Sequence, residues 1–146
     1  MASAFPTRAG GCLCGAVRFR ATLSALHADA CHCGMCRRWA GGSFMTAHCE
    51  TLEIEDKSAL GVYESSEWGQ REFCKTCGSS LFWRMRGERG FAAVAVQTLD
   101  DLSGFEFTEE IFIDNKPALY AFAGDRPRLT GAEVIARAAA KRKEGA

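Results

Sequence analysis

Three thiols fall within six residues at Cys31-His32-Cys33-Gly34-Met35-Cys36. Cys31 and Cys33 share one face of an extended segment, and the two-residue gap to Cys36 lets a turn bring the third sulfur round. Zinc takes four protein ligands where its role is structural, and three plus an exchangeable position where it does chemistry. No fourth ligand follows at once, so the spacing predicts a metal loop with a coordination position to spare. Water or a thiol bound there would lose its proton near neutral pH. Three thiolates on one dication leave an excess of negative charge, which weakens that acidification but keeps a bound thiolate nucleophilic. The ligand set favours thiol chemistry over hydrolysis.

Four more cysteines come in two pairs. Cys12 and Cys14 lie in the glycine-flanked stretch Gly10-Gly11-Cys12-Leu13-Cys14-Gly15, where residues two apart on extended chain point the same way. Cys74 and Cys77 lie in Phe73-Cys74-Lys75-Thr76-Cys77-Gly78, the spacing of a zinc knuckle whose turn amides can donate to the sulfurs. Together the pairs make a closed four-cysteine set, and an ion held there would join two distant segments, so that its binding energy becomes folding energy. Cys49 is the eighth cysteine. Placed near the Cys31–Cys36 loop it would close a second four-cysteine site and remove the catalytic reading; its distance along the chain fits a buried, small apolar side chain instead.

Arg37, Arg38 and Arg71 are the local cations that could offset such a loop or grip substrate carboxylates with a guanidinium fork; the competing reading of each is a solvated surface arginine. His32 alternates with Cys31 and Cys33 and should point away from their metal, with a supporting hydrogen bond as the role open to it. His48 is expected to be a non-ligand in a strand. Trp39, Phe44, Phe73 and Trp83 read as core before they read as pocket wall.

The elements that position these residues are mostly strands. The apolar and basic alternation through Gly10–Arg20 predicts a half-buried strand. Ser43–Cys49, Leu52–Glu55 and Gly61–Ser65 read as short strands joined by turns, Phe91–Val96 as a buried strand, and Glu110–Asp114 as another ended by Asn115-Lys116-Pro117. Only 130–143 has a clear helical reading, with Thr130 as N-cap and Glu133 as its capping-box partner. The expected architecture is mainly antiparallel β with a short C-terminal helix.

Composition bounds the rest. With 146 residues, 47% hydrophobic and 25% charged, the chain fits one globular domain over 1–146. Lys plus Arg and Asp plus Glu both number 18, so no global field draws nucleic acid or an anionic membrane. The first ten residues do not read as a secretory signal, and no apolar run reaches membrane-spanning length. Eight cysteines without such a signal point to a reducing, cytoplasmic setting, where clustered thiols are more often metal ligands than disulfides.

The combined pattern resembles the glutathione-dependent formaldehyde-activating enzyme family, which includes centromere protein V. The resemblance is carried by Gly11–Gly15, Cys31–Trp39, Arg71–Gly78, Gln97-Thr98-Leu99-Asp100-Asp101 and 111–117. It implies a β-tent type fold of several coiled antiparallel sheets, a structural zinc on Cys12, Cys14, Cys74 and Cys77, and a catalytic zinc on Cys31, Cys33 and Cys36, two ions per chain. It also implies a small-molecule thiol partner, glutathione, whose thiolate adds to formaldehyde in a carbon-sulfur lyase reaction. Gln97 departs from the pattern, standing where many relatives carry glycine, and could reshape the pocket.

Three other functions compete. A zinc-stabilised binding module would use the three-cysteine loop to recruit a protein. Thiol-disulfide work by Cys74 and Cys77 would need the thioredoxin-like βαβ context that is missing here. A nucleic-acid tail at Lys141-Arg142-Lys143 competes with a solvated helix end whose cations complement the helix dipole.

Overall fold

The computed structural model describes residues 5–87 and 91–144, with side chains described as far as Lys141. The first four residues of the stretch weighed as a signal therefore lie outside the described residues, as do the side chains of Arg142 and Lys143. The protein is mainly β, with ten strands and two α-helices among the described residues. No described helix is long and apolar enough to cross a membrane. The chain divides into two compact units. One runs to Ala28 and resumes over Thr46–Glu106; the other comprises Asp29–Met45 and continues from Phe107.

In the first unit, β1 (Thr7–Gly11) and β2 (Arg18–Leu23) form a hairpin, and β2 pairs with β4 (Phe44–Ile54). The order continues through β8 (Ala92–Ala95), β7 (Ser80–Met85) and β6 (Gly69–Cys74) to β5 (Leu60–Tyr63), antiparallel at every step. Alternation in β2 buries Phe19, Ala21 and Leu23, and Phe19 meets Phe82 of β7 edge to face at 4.8 Å. All four residues of β8 are buried, the pattern of a strand covered on both faces.

Two expectations need correction here. The stretches read as separate strands around Ser43–Cys49 and Leu52–Glu55 are one strand, β4, which contains no glycine or proline. The change of pattern is absorbed by a register irregularity where β2 pairs with it, Leu23 opposite Cys49 and Thr22 opposite Thr51, as a bulge does. The alternating strand begins only at Arg18, and Cys12 and Cys14 occupy the turn before it. Gly15, at φ 84°, adopts the left-handed conformation there.

In the second unit, β9 (Glu106–Ile111) lies between β3 (His27–Cys31) and β10 (Arg128–Leu129). The β9–β10 pairing is parallel, Arg128 opposite Glu110, which makes the strand set mixed. The strand expected over Glu110–Asp114 ends at Ile111 because Phe112 takes a left-handed conformation (φ 55°, ψ 44°) and a 3-10 turn, Ile113–Asn115, follows. An unforeseen helix, α1 (Gly34–Ala40), starts inside the cysteine loop and closes at Gly41, whose amide donates to the Arg37 carbonyl at 2.9 Å. The expected C-terminal helix is α2 (Gly131–Glu144). Its capping box is reciprocal: the Thr130 amide donates to Glu133 Oε1 at 2.9 Å and the Glu133 amide to Thr130 Oγ1 at 3.2 Å.

Candidate metal centres

Cys12, Cys14, Cys74 and Cys77 converge in the first unit, with all four sulfurs within 4.8 Å of one another. Cys12 and Cys14 come from the β1–β2 turn, Cys74 from the end of β6 and Cys77 from the turn into β7. The Cys12–Cys14 and Cys14–Cys74 sulfurs are 3.7 and 3.8 Å apart. A tetrahedral zinc with Zn–S bonds of about 2.3 Å separates its sulfurs by about 3.8 Å, so the donor set fits that ion in both chemistry and spacing.

Backbone amides support the sulfurs. The Val17 amide donates to Cys12 Sγ at 3.2 Å and the Cys77 amide to Cys74 Sγ at 3.4 Å. Ser79 ties the two turns together: its Oγ accepts the Leu13 amide at 3.0 Å and sits 3.2 Å from Cys77 Sγ. The Ser79 hydroxyl is the main reason the Cys77 thiol is pulled down to about 5. For Cys14, the Ala16 amide favours the thiolate, but burial and the neighbouring thiols outweigh it and push the group up to about 11. Protons are thus held unequally across the metal-free set.

Cys31, Cys33 and Cys36 converge in the second unit, again with sulfurs within 4.8 Å of one another and with no fourth His, Cys, Asp or Glu ligand among the described residues. Cys31 ends β3 and Cys33 is the N-cap of α1. Its sulfur accepts the Cys36 amide at 3.3 Å, the same contact that Cys74 makes with Cys77. The Cys31 and Cys36 thiols, with that amide, stabilise the Cys33 thiolate and draw it down to about 2, while Cys31 is pushed far upward by its two neighbours and by burial. Of Cys31 and Cys33, the latter is therefore the one favoured as thiolate.

His32, between two of these ligands, is fully buried. Its Nε2 donates to Glu110 Oε1 at 2.8 Å, and its Nδ1 lies 2.8 Å from the Tyr120 hydroxyl. His32 is not part of the cysteine cluster, and neither ring nitrogen supports the sulfurs: both are committed to Glu110 and Tyr120. Arg126 Nη1 and Arg128 Nε donate to Glu110 Oε2 at 2.7 and 3.0 Å. Burial alone would raise the Glu110 carboxyl, but hydrogen bonds from Arg126, His32 and Arg128 outweigh it and hold the group below its ordinary range. The Arg126 guanidinium also stacks 3.9 Å over the Phe107 ring. Sequence reasoning passed over Glu110, Tyr120, Arg126 and Arg128. Alternation gave no signal for Glu110, which shares its strand phase with the polar Glu106 and Thr108 and not with Phe107 and Ile111.

Arg37 folds back so that its Nε donates to the His32 carbonyl at 3.1 Å, while Arg38 is exposed. Arg71 is buried in β6 of the first unit. Cys49 belongs to neither cysteine cluster; it is buried in β4, its thiol directed at the Ala47 carbonyl at 3.8 Å and pushed up to about 11 by burial. His48 is exposed and lies against Phe91. Trp39 meets Phe44 edge to face at 5.2 Å, and Trp83 packs on Trp68 and Phe91. Gln97 is exposed in the 3-10 turn Val96–Thr98.

Comparison with known proteins places these clusters in a family. The sequence model of the glutathione-dependent formaldehyde-activating enzymes matches residues 7–115. An uncharacterized lyase of Schizosaccharomyces pombe is 29% identical over 131 residues, 89% of this chain and 96% of its own length. A Halomonas elongata protein whose name carries the family description is 31% identical over 83 residues, 50% of this chain and 53% of its own length. The crystal structure of a Rhodobacter sphaeroides protein aligns with a TM-score of 0.55 at 26% identity, covering 68% of this chain and 99% of its own. The family match spans both cysteine clusters, and the chain belongs to the glutathione-dependent formaldehyde-activating enzyme family.

Proposed function

We propose that this protein is a zinc-dependent carbon-sulfur lyase that joins a small thiol such as glutathione to formaldehyde, or acts on a related thiol adduct. The observation that carries the reading is the pairing of a complete four-cysteine cluster with a three-cysteine cluster that has no fourth ligand among the described residues. Family membership and the lyase name of the S. pombe relative support the reaction class.

Cys12, Cys14, Cys74 and Cys77 would hold a structural zinc, and Cys31, Cys33 and Cys36 a catalytic one. Zinc on three thiolates supplies an exchangeable fourth position where a thiol is acidified yet stays nucleophilic. In the net reaction a C–S bond forms to the carbonyl carbon and the thiol proton ends on the former carbonyl oxygen; the reverse breaks the same bond. Arg37, Arg38 and Arg71 are the candidates for substrate carboxylates. Arg37 is the strongest, because its Nε is fixed on the carbonyl of His32, which sits between two of the three cysteines. The alternative of a non-catalytic binding module would have gained from closure of the loop by Cys49, which belongs to neither cluster.

The test is Cys33→Ala in protein of verified metal content. Thiol- and formaldehyde-dependent turnover should disappear while the fold and the four-cysteine metal persist. Turnover retained in that variant would overturn the reading.

A further inference from the structure

Each cysteine cluster contains a Cys-x-Cys segment, and the two middle residues could hardly be placed more differently. Leu13, between Cys12 and Cys14, is 89% exposed, whereas His32, between Cys31 and Cys33, is 0% exposed. The Leu13 amide donates to Ser79 Oγ at 3.0 Å. His32 is held at four points: its amide donates to the Ile111 carbonyl at 3.1 Å, its carbonyl accepts Arg37 Nε at 3.1 Å, and its ring nitrogens meet Glu110 and Tyr120, each at 2.8 Å.

The difference follows the ligand count. In the four-cysteine cluster, Cys74 and Cys77 arrive from 60 residues away and fix Cys12 and Cys14 across the ion. The three-cysteine cluster has no ligand from a distant segment among the described residues, and its sulfurs all lie within 31–36. A site built from one short loop reaches productive geometry only if other contacts hold its backbone to within about 0.5 Å. Here those contacts converge on the one residue that sits between two ligands, and they come from 78 and 88 residues away.

We propose that the His32–Glu110–Tyr120 network, braced by Arg126 and Arg128, is a positioning device for the three-cysteine site: it presets the Cys31 and Cys33 sulfurs as a distant ligand presets them in the four-cysteine site. The inference rests on the reading that Cys31, Cys33 and Cys36 bind a metal, and does not depend on which reaction follows. None of Glu110, Tyr120, Arg126 and Arg128 is itself a ligand. Their action is on the peptide of His32, and through it on the spacing and rigidity of its two neighbours. The exchangeable position stays free because the distant anchor holds the backbone instead of the ion.

The experiment loads the full chain with cobalt(II), follows thiolate-to-cobalt absorption, and titrates with a competing chelator in the absence of substrate. The four-cysteine site is the internal control for folding. Glu110→Gln should weaken cobalt at the three-cysteine site by about 10–100-fold, the scale found when the groups orienting a metal ligand are removed. Tyr120→Phe, which removes one hydroxyl, should weaken it by about fivefold, and the four-cysteine site should be unchanged in both. If Glu110→Gln does not fold, Tyr120→Phe carries the test. Equal weakening at both sites, no weakening at either, or a wild-type chain that takes up only one cobalt ion would overturn the proposal. Two-ion binding with the expected variant effects but no turnover would leave it standing and overturn the lyase reading alone.

Discussion

Cys33 Sγ accepts the Cys36 amide at 3.3 Å, so a single sulfur caps α1 and belongs to the candidate metal cluster. The two roles separate by substitution. Serine keeps an oxygen acceptor at the N-cap and loses the soft thiolate; alanine loses both. Cys33→Ser and Cys33→Ala should each empty the three-cysteine site, while denaturant unfolding should find the alanine variant less stable by about 1 kcal/mol. Equal stability would show that the cap contributes nothing.

The four-cysteine cluster should dominate the stability of the first unit. Cys74→Ala, or a strong chelator, would remove an ion held between the two turns, and metal binding of this kind is folding energy. A calorimetric scan should show loss of the cooperative transition, whereas Cys36→Ala should lower its midpoint by much less.

Arg37→Lys keeps the charge and loses the fork. With a carboxylate-bearing thiol as substrate, KM should rise about tenfold, corresponding to loss of a charge-assisted hydrogen bond of about 1.5 kcal/mol, with kcat little changed. The same variant assayed with a thiol lacking carboxylates should show no such rise.

Arg18 and Asp100 pair through two hydrogen bonds, of 3.2 and 2.5 Å. The Arg18 guanidinium lowers the Asp100 carboxyl from its ordinary 3.8. A depressed folded-state value means that the pair's stabilisation is complete above the unfolded value and is lost as pH falls through the folded one. The stability gap between wild type and Asp100→Asn should therefore be constant near neutrality and close as pH drops below 3.8. Urea unfolding at several pH values measures it.

Gly10 is enclosed: an added Cβ would lie 2.5 Å from the Thr98 carbonyl oxygen and 2.6 Å from the Phe19 ring. Gly10→Ala should cost about 1–3 kcal/mol through overpacking. At Gly42 nothing lies within 4 Å, and Gly42→Ala should leave the urea midpoint close to wild type.

What the sequence made legible is what short-range chemistry controls. The cysteine spacings announce both clusters because ligand geometry is local, and Thr130 with Glu133 announces α2 because a capping box spans a single turn. The unbroken β4 was hidden because its pairing with β2 and β8 is non-local, and no local rule distinguishes a bulge near Cys49 from a turn. The end of β9 was hidden for a different reason: Phe112 adopts a conformation that a bulky residue disfavours, so propensity pointed the wrong way. The Glu110 network was least visible of all, since a buried carboxylate is explained only by partners from segments far along the chain. Helix α1 was obscured by its own cap, cysteine not being among the residues usually preferred there.

The separation of Cys14 from Cys74 has a kinetic side. Their sulfurs lie 3.8 Å apart across 60 residues. Closing a loop of that length restricts the unfolded chain by about 4 kcal/mol in the chain-entropy treatment of a cross-link. During synthesis the first pair of cysteines waits, unsatisfied, until the second pair and the strands between them have emerged. A metal ion caught early by Cys12 and Cys14 alone would be open to exchange, and the clasp would close only once Cys74 and Cys77 have followed.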